Sequence, residues 1–191
     1  MQIIDTNFND VKLIKKELFF DNRGYFTEVF HQKKIVKKIC KNIDFVQENE
    51  SCSKKNTIRG LHYQIHPFAQ TKLINVSSGG ILDVIVDLRK NSPTFLEHIK
   101  LTIRTEDNML LFIPRGFAHG FIALEDFTKV SYMVDNFYNP KSERGILYND
   151  PQLKIDWGVN HSDVLISDKD RYLPTLEQIR DFFDYNVDYY E

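Results

Sequence analysis

Cysteine is scarce in this sequence of 191 residues: Cys40 and Cys52 are the only two, and they form no C-x-x-C pair. A disulfide scaffold or a zinc finger needs more cysteines at closer spacing, so the sequence supports neither class. Low cysteine use is typical of a reducing compartment. We therefore expect a cytoplasmic protein.

Positive charge is not in surplus either, since 25 Lys and Arg face 27 Asp and Glu, for a net charge of −2. A protein that follows a phosphate backbone carries an excess of basic residues, so a nucleic-acid partner is not expected. No apolar run approaches the roughly 18–20 residues of a bilayer span, and the first ten residues lack the apolar segment of a signal peptide. We expect no membrane partner.

Linkers and repeats are also missing from the sequence. It has no stretch rich in Ser and Gly or in Pro, and no segment recurs at a fixed period. Hydrophobic residues make up 42% and charged residues 27%, which is the balance of a globular protein and excludes wholesale disorder. The length suits one domain, so we predict a single domain over residues 1–191.

What the sequence contains instead is a series of short β-forming runs between turn residues. The predicted strands are 25–30, 45–51, 57–64, 71–76, 81–88, 95–103, 109–113, 120–124 and 130–137. Many short strands at this spacing indicate an all-β sandwich or barrel rather than alternating βαβ units. Two helices are predicted beside them, 32–40 and 175–183. Their apolar stripes are Ile35, Val36 and Ile39 in the first, and Leu176, Ile179 and Phe183 in the second.

The alternation of side chains along two of these strands indicates where a site lies. In 81–88, Asp83 and Asp87 share a face with Ile85, and the opposite face is fully apolar. His62 and Gln64 likewise point to the same side of their strand. Polar side chains that face the inside of a barrel need partners, so they predict a pocket.

The six histidines raise the question of a metal site. Metal-binding β-barrels usually show H-x-H with a nearby Glu and a later His, whereas His62 and His66 are four apart and His119 stands alone. A facial metal triad is therefore not expected. We expect His66, His98 and His161 to be surface or loop residues.

Three motifs carry the remaining chemistry. Arg59-Gly60-Leu61-His62-Tyr63-Gln64, followed by Gln70-Thr71-Lys72, brings together side chains suited to an anionic or polar substrate, although a lone histidine is as often structural as functional. Residues 114–121 suit a loop at the rim of a ligand site, or simply a tight hairpin. Tyr132 and Tyr138 belong to the third motif, and a lone Tyr in a strand more often packs in the core.

Together these motifs resemble those of the dTDP-4-dehydrorhamnose 3,5-epimerase family of nucleotide-sugar epimerases. The matching motifs run in order from residue 21 to residue 170. They are Asp21-x-Arg23-Gly24-x-Phe26-x-Glu28-x-Phe30, Phe45-Val46-Gln47-x-Asn49-x-Ser51, Arg59 to Gln64, Lys72-Leu73, Asp83-Val84-x-Val86-Asp87-Leu88-Arg89, Ser92-Pro93-Thr94, Ile113-Pro114-x-Gly116-Phe117-Ala118-His119-Gly120-Phe121, Tyr138-x-Pro140, Asn149-Asp150-Pro151-x-Leu153-x-Ile155-x-Trp157 and Ser167-x-Lys169-Asp170.

The resemblance implies a cupin-type jelly roll with a few short peripheral helices, a homodimer, and an epimerase that uses neither metal nor cofactor. The implied substrate is a nucleoside-diphosphate 4-keto-6-deoxy sugar. Its ketone makes the hydrogens on C3 and C5 acidic, because either carbanion is delocalised as an enolate. Inversion then needs a base on one face of the ring, a proton donor on the other, and positive charge at the enolate oxygen.

The family's catalytic positions match particular residues of this chain. His62 matches the general base, and an imidazole ordinarily titrates near neutral pH. Asp170 matches the carboxylate that orients it, and Lys72 matches the cation at the sugar oxygen. Tyr132, thirteen residues after His119, matches the donor on the opposite face, with Tyr138 as the alternative donor.

The family also implies contacts to the substrate and a role for the partner subunit. The matching positions are Arg23, Phe26, Glu28, Gln47, Asn49, Arg59, Lys72, His119, Tyr138, Glu143 and Lys169. In the family the N-terminal strands help to complete the partner's site, so residues 21–30 are expected to serve the other subunit.

The chain departs from the family at Thr71, where Gly is common, and at Asn75, where many relatives carry Arg. These changes leave open the nucleotide, the sugar and the number of carbons inverted. The alternative substrates are a GDP- or CDP-linked 4-keto heptose, or a sugar inverted at one carbon. A sugar-binding barrel without catalysis and a metal-dependent oxygenase are the alternatives from other classes.

Overall fold

The computed structural model describes residues 1–39 and 43–191, in which β-strands predominate. The strands are β1 Gln2–Asp5, β2 Lys12–Lys15, β3 Phe19–Asp21, β4 Gly24–Phe26, β5 Gln47–Ser53, β6 Ile58–Gln64, β7 Lys72–Ser78, β8 Gly80–Asp87, β9 Arg89–Lys90, β10 His98–Arg104, β11 Met109–Ile113, β12 Phe117–Ala123, β13 Thr128–Val134, β14 Glu143–Gly145 and β15 Phe183–Asp184. The helices are α1 Gln32–Ile39 and α2 Asp168–Arg171, and short 3-10 turns cover Thr105–Asp107 and His161–Asp163.

Two antiparallel sheets form the body of the structure. The first has six strands in the order β1-β2-β11-β7-β13-β5, and the second has five in the order β10-β8-β12-β6-β14. Strands distant in sequence are neighbours in each sheet, as a jelly roll requires. This confirms the predicted all-β, cupin-type jelly roll.

The inner faces of the two sheets pack against each other at one end of the barrel. The apolar residues buried there include Ile74, Val76, Leu111 and Val130 from the six-stranded sheet, and Ile81, Ile85, Phe117 and Phe121 from the five-stranded sheet. Polar residues interrupt the same inner faces: Asp83 stands between Ile81 and Ile85, and His119 stands between Phe117 and Phe121. Those polar residues build the site described below.

Peripheral segments cover the outer faces of both sheets. The outer residues of β8, including Val84 and Val86, pack under the segment that contains Trp157, Leu176 and Phe183. The helix α1 covers the six-stranded sheet through Ile35, which is buried. This arrangement confirms the predicted two faces of β8 and agrees with the predicted helix 32–40, although Cys40 lies outside the described residues.

The predicted helix 175–183 is wrong. The chain makes one turn after Thr175, and Phe183–Asp184 then pairs in parallel with Arg89–Lys90. The backbone amide of Phe183, which a helix would bond to the carbonyl of Ile179, donates to the carbonyl of Leu88 at 3.1 Å. The amide of Leu176 donates to the carboxylate of Asp150 at 2.7 Å. The apolar spacing therefore reports which side chains are buried, and backbone bonds to neighbouring segments replace those of a helix.

A two-stranded hairpin, β3 with β4, belongs to neither large sheet. It presents four exposed aromatic side chains, Phe19, Phe20, Tyr25 and Phe26. The adjoining strands β1 and β2 were not predicted from the sequence; they extend the six-stranded sheet through β11. Within the described ranges no helix is long and apolar enough to cross a membrane.

Candidate active site

The open end of the jelly roll encloses a cavity of about 320 Å³ between the two sheets. Nine residues with a site role expected from the sequence line it: Arg59, His62, Lys72, His119, Tyr132, Tyr138, Glu143, Lys169 and Asp170. His62 comes from the five-stranded sheet, whereas Lys72 and Tyr132 come from the six-stranded sheet. A ligand between the sheets is therefore reached from two sides.

His62 is held by a carboxylate that is distant in sequence. Its Nε2 lies 2.7 Å from Asp170 Oδ1, and the other oxygen of Asp170 accepts from the backbone of Gly60 at 3.2 Å. Asp170 sits in the short helix α2, which Ser167 caps by accepting from the Asp170 amide. Burial alone raises the pKa of Asp170, but the bond to His62 and the neighbouring positive charge outweigh it and lower that pKa. The pairing leaves His62 Nδ1 as the nitrogen available to a substrate.

Two glycines bring the strands of His62 and His119 into close contact. Gly60 has a φ of +114°, and a Cβ there would stand 2.6 Å from the Cα of Gly120. Such a contact excludes any side chain, so glycine is required. The two histidines are direct cross-strand partners in β6 and β12.

His119 has its own carboxylate, Asp83. Its Nε2 lies 2.7 Å from Asp83 Oδ2, and both residues are buried. Burial lowers the pKa of His119 and raises that of Asp83, because each charged form is desolvated. The inward-facing Asp83 predicted from strand alternation therefore has a polar partner, His119, beside the cavity.

Lys72 supplies a cation inside the cavity. Its Nζ donates to the main-chain carbonyl of His62 at 3.1 Å. Desolvation lowers its pKa to about 8, and the carboxylates of Asp83 and Glu143 oppose this shift. The ammonium form therefore predominates at neutral pH.

The two tyrosines occupy different environments. Tyr132 is partly buried against the apolar core, and burial raises the pKa of its phenol. Tyr138 is exposed, and its hydroxyl donates to Glu143 at 2.8 Å. Glu143 also accepts from Lys169 at 2.6 Å. Burial raises the pKa of Glu143, but these two hydrogen bonds outweigh it and lower that pKa.

Five other predicted site residues do not line the cavity. Arg23 is ion-paired with Asp21 on the exposed hairpin, Phe26 is exposed on the same hairpin, and Glu28 bonds to Lys34. Gln47 and Asn49 stand on β5 next to the cavity, hydrogen-bonded to each other at 2.8 Å. Gln47 also accepts from the backbone amide of Tyr138, so it supports the cavity rim.

Six cavity residues have no site role predicted from the sequence: Ser51, Tyr63, Gln64, Gln70, Phe121 and Ser167. Alternation along the strand indicates Gln64, since it points with His62. Ser51 follows from the same period of two on β5, where it aligns with Gln47 and Asn49. The other four, Tyr63, Gln70, Phe121 and Ser167, reach the cavity through loop conformations and strand pairings that a local sequence pattern does not predict.

A second hollow among the described residues is also lined by charged side chains, but these are engaged with one another. This hollow of about 380 Å³ beside the C-terminal tail contains Arg89 and Arg115. Their guanidiniums are ion-paired with Asp87, Asp10 and Asp135. In the part of the chain that the structure describes, no three His, Cys, Asp or Glu side chains are grouped to hold a metal ion.

The cavity thus combines the parts needed to move a proton across a plane. A histidine oriented by a carboxylate stands on one sheet, a protonated phenol stands on the other, and an ammonium lies between the two sheets. This set suits proton abstraction next to a carbonyl with stabilisation of the resulting oxyanion.

Comparisons with known proteins agree with this chemistry. The family model described as dTDP-4-dehydrorhamnose 3,5-epimerase matches residues 5–178. The dTDP-4-dehydrorhamnose 3,5-epimerase of Shigella flexneri is 43% identical over 170 residues, which cover 89% of this chain and 93% of the relative.

Two solved structures share the fold. The Bacillus anthracis dTDP-4-dehydrorhamnose 3,5-epimerase with TDP and pyrophosphate bound is 47% identical, with a TM-score of 0.86 over 92% of this chain and 99% of that one. The Legionella pneumophila dTDP-6-deoxy-D-glucose-3,5-epimerase in complex with dTDP-4-keto-L-rhamnose is 37% identical, with a TM-score of 0.92 over 97% and 99%. The chain belongs to the dTDP-4-dehydrorhamnose 3,5-epimerase family.

Proposed function

We propose that this protein inverts C3 and C5 of a dTDP-linked 4-keto-6-deoxy sugar by removing a proton from one face of the ring and returning one to the other. The observation that carries this proposal is the placement of the His62–Asp170 pair and Tyr132 on opposing sheets around one cavity. Membership of the family supports the nucleotide-sugar substrate.

His62 is the proposed base. Its Nδ1 takes the proton from the carbon next to the ketone, and the electron pair moves onto the ketone oxygen as an enolate. Asp170 fixes the ring orientation through Nε2 and stabilises the imidazolium that forms. Lys72 offers its ammonium to the enolate oxygen, where negative charge develops.

Tyr132 is the proposed acid. Because burial raises its pKa, the phenol of Tyr132 stays protonated and can donate its proton to the carbon once the enolate has formed. Protonation from its side inverts the carbon. Solvent then returns a proton to Tyr132 and removes the abstracted proton from His62. The nucleotide sugar is proposed to bind the remaining polar residues of the cavity and its rim: Arg59, His119, Lys169, Gln47, Asn49, Tyr138 and Glu143.

The decisive experiment is incubation with dTDP-4-keto-6-deoxyglucose in heavy water, followed by NMR. We expect deuterium at C3 and C5 and the doubly inverted sugar. Deuterium at one carbon alone would replace the proposal with the single-inversion alternative. Absence of enzyme-dependent deuterium would overturn it and favour a sugar-binding barrel.

Replacement of Tyr132 by Phe should allow deuterium exchange into the sugar while preventing inversion of the carbon. His62 remains able to remove the proton, so deuterium still enters the sugar, but the carbon is reprotonated from the side of the base. We expect the yield of inverted product relative to exchange to fall at least tenfold. Tyr138→Phe, which removes an exposed phenol at the rim, is the matched control. Loss of inversion in Tyr138→Phe alone would transfer the role to Tyr138.

We also propose a homodimer in which the β3–β4 hairpin packs on the partner subunit near its cavity. The hairpin is isolated from both sheets and exposes four aromatic rings, an arrangement that is unstable in water without a covering surface. Arg23, Phe26 and Glu28 lie outside the cavity of their own chain, which fits a role in the partner's site.

Replacement of Phe20 by Ser should weaken that dimer. Phe20 is 74% exposed in the isolated chain, so its removal costs little within the subunit. We expect light scattering after gel filtration to shift from twice 22.6 kDa toward 22.6 kDa on dilution. Phe127→Ser, at a position 76% exposed in the loop between β12 and β13, is the control and should keep the wild-type mass. A wild-type protein that runs as a monomer would contradict the proposal.

A further inference from the structure

Ser51 presents a hydroxyl that the mechanism above does not use. Among the described residues, two buried side-chain atoms lack a hydrogen-bond partner in the protein: Ser51 Oγ and Asp83 Oδ1. Asp83 lies behind His119, whereas Ser51 lines the cavity itself. Buried polar groups are nearly always paired with protein, ligand or ordered water, so an unpaired hydroxyl in a ligand cavity marks a position where a ligand atom can bond.

The position of Ser51 is fixed by the sheet. It pairs with Val130 across β5 and β13, and the next inward residue, Asn49, pairs with Tyr132. Ser51 and Tyr132 therefore stand on the same face, one diagonal step apart. A ligand group that meets Ser51 lies on the wall that carries the proposed acid.

The neighbouring cation does not occupy this hydroxyl. The guanidinium of Arg59 donates to Ser53 Oγ at 3.1 Å and to the carbonyl of Cys52 at 3.3 Å, the two residues that follow Ser51 in β5. Arg59 is thus anchored beside Ser51 without bonding to it. The hydroxyl keeps a donor and an acceptor function, and a sugar hydroxyl can engage both, whereas a phosphate dianion can only accept.

The chemistry of the substrate restricts which hydroxyl it is. In a 4-keto-6-deoxy sugar the free hydroxyls are on C2 and C3, and the C3 hydroxyl changes orientation when C3 is inverted. A hydrogen bond from Ser51 that persists through both inversions needs a partner whose configuration does not change. That group is the C2 hydroxyl.

We propose that Ser51 is a specificity-determining residue whose hydroxyl binds the C2 hydroxyl of the sugar. This rests on the proposed epimerase function and adds to it the discrimination between 2-hydroxy and 2-deoxy sugars. Ser51 takes no part in proton transfer.

The test compares dTDP-4-keto-6-deoxyglucose with its 2-deoxy analogue in each variant. We expect the wild type to favour the 2-hydroxy sugar about tenfold in kcat/KM, as one neutral hydrogen bond allows. Ser51→Ala should reduce this preference to near one, and Ser51→Thr, which keeps a hydroxyl, should retain most of it. Because each preference is a ratio within one variant, a loss of folded protein cancels.

Ser131→Ala is the matched control. Ser131 pairs with Glu50 on the outward face of the same strand pair, so its removal should leave the tenfold preference intact. A preference unchanged in Ser51→Ala would overturn the assignment of Ser51 while the epimerase activity stands. A wild type that inverts neither sugar would instead overturn the proposed function, and the assignment with it.

Discussion

Replacement of His62 by Ala should lower deuterium uptake into the sugar by about 10³-fold, within the range that a positioned base contributes. The expectation follows from geometry: His62 Nε2 is committed to Asp170 at 2.7 Å, which leaves Nδ1 for the substrate. Both exchange and inversion should be lost together, because abstraction precedes either outcome.

The measurement is the initial rate of deuterium incorporation, followed by NMR in heavy water. His98→Ala is the control, because His98 begins β10 and does not line the cavity. Binding of dTDP by the His62→Ala variant, measured by calorimetry, would show that the cavity persists. Exchange at the wild-type rate in His62→Ala would remove His62 from the base role.

The strands could largely be predicted from the sequence because their two faces meet different surroundings. In β8, Val84 and Val86 pack under the C-terminal segment, whereas Asp83 and Ile85 face the interior. This contrast gives the period of two that local analysis detects. The strand β5 is harder to place from composition, since its inner residues are polar and lie in or beside the cavity, and its outer residues are exposed.

The site itself could not be assembled from local patterns. His62 and Asp170 are 108 positions apart, and no periodicity links a strand to a one-turn helix at that distance. The resemblance to the family predicted that Asp170 orients His62, and the structure places the two side chains in hydrogen-bond contact. Residues 175–183 show the opposite case, since their burial was predictable but their backbone partners, among them Asp150 and the strand β9, lie elsewhere in the chain.

The catalytic rate should fall as pH rises through about 8, because the pKa of Lys72 is lowered to about 8 by desolvation in the cavity. Below that pH the ammonium is present and stabilises the enolate oxygen; above it the amine is neutral and this stabilisation is lost. An exposed lysine would place the same limb more than two pH units higher. The alkaline limb of kcat therefore reports the burial of this one side chain.

Substitution of Lys72 tests the assignment directly. Lys72→Met should lower kcat by about 10²- to 10³-fold, the usual effect of removing one oxyanion donor, and should abolish the limb near pH 8. Lys72→Arg should keep a cation at every accessible pH, so its residual activity should extend to higher pH even though its geometry is less favourable. Lys129→Met, on the outward face of β13, should keep both the rate and the limb. A limb that stays near pH 8 in Lys72→Arg would show that another group titrates there, and Lys72 would lose its proposed role at the enolate oxygen.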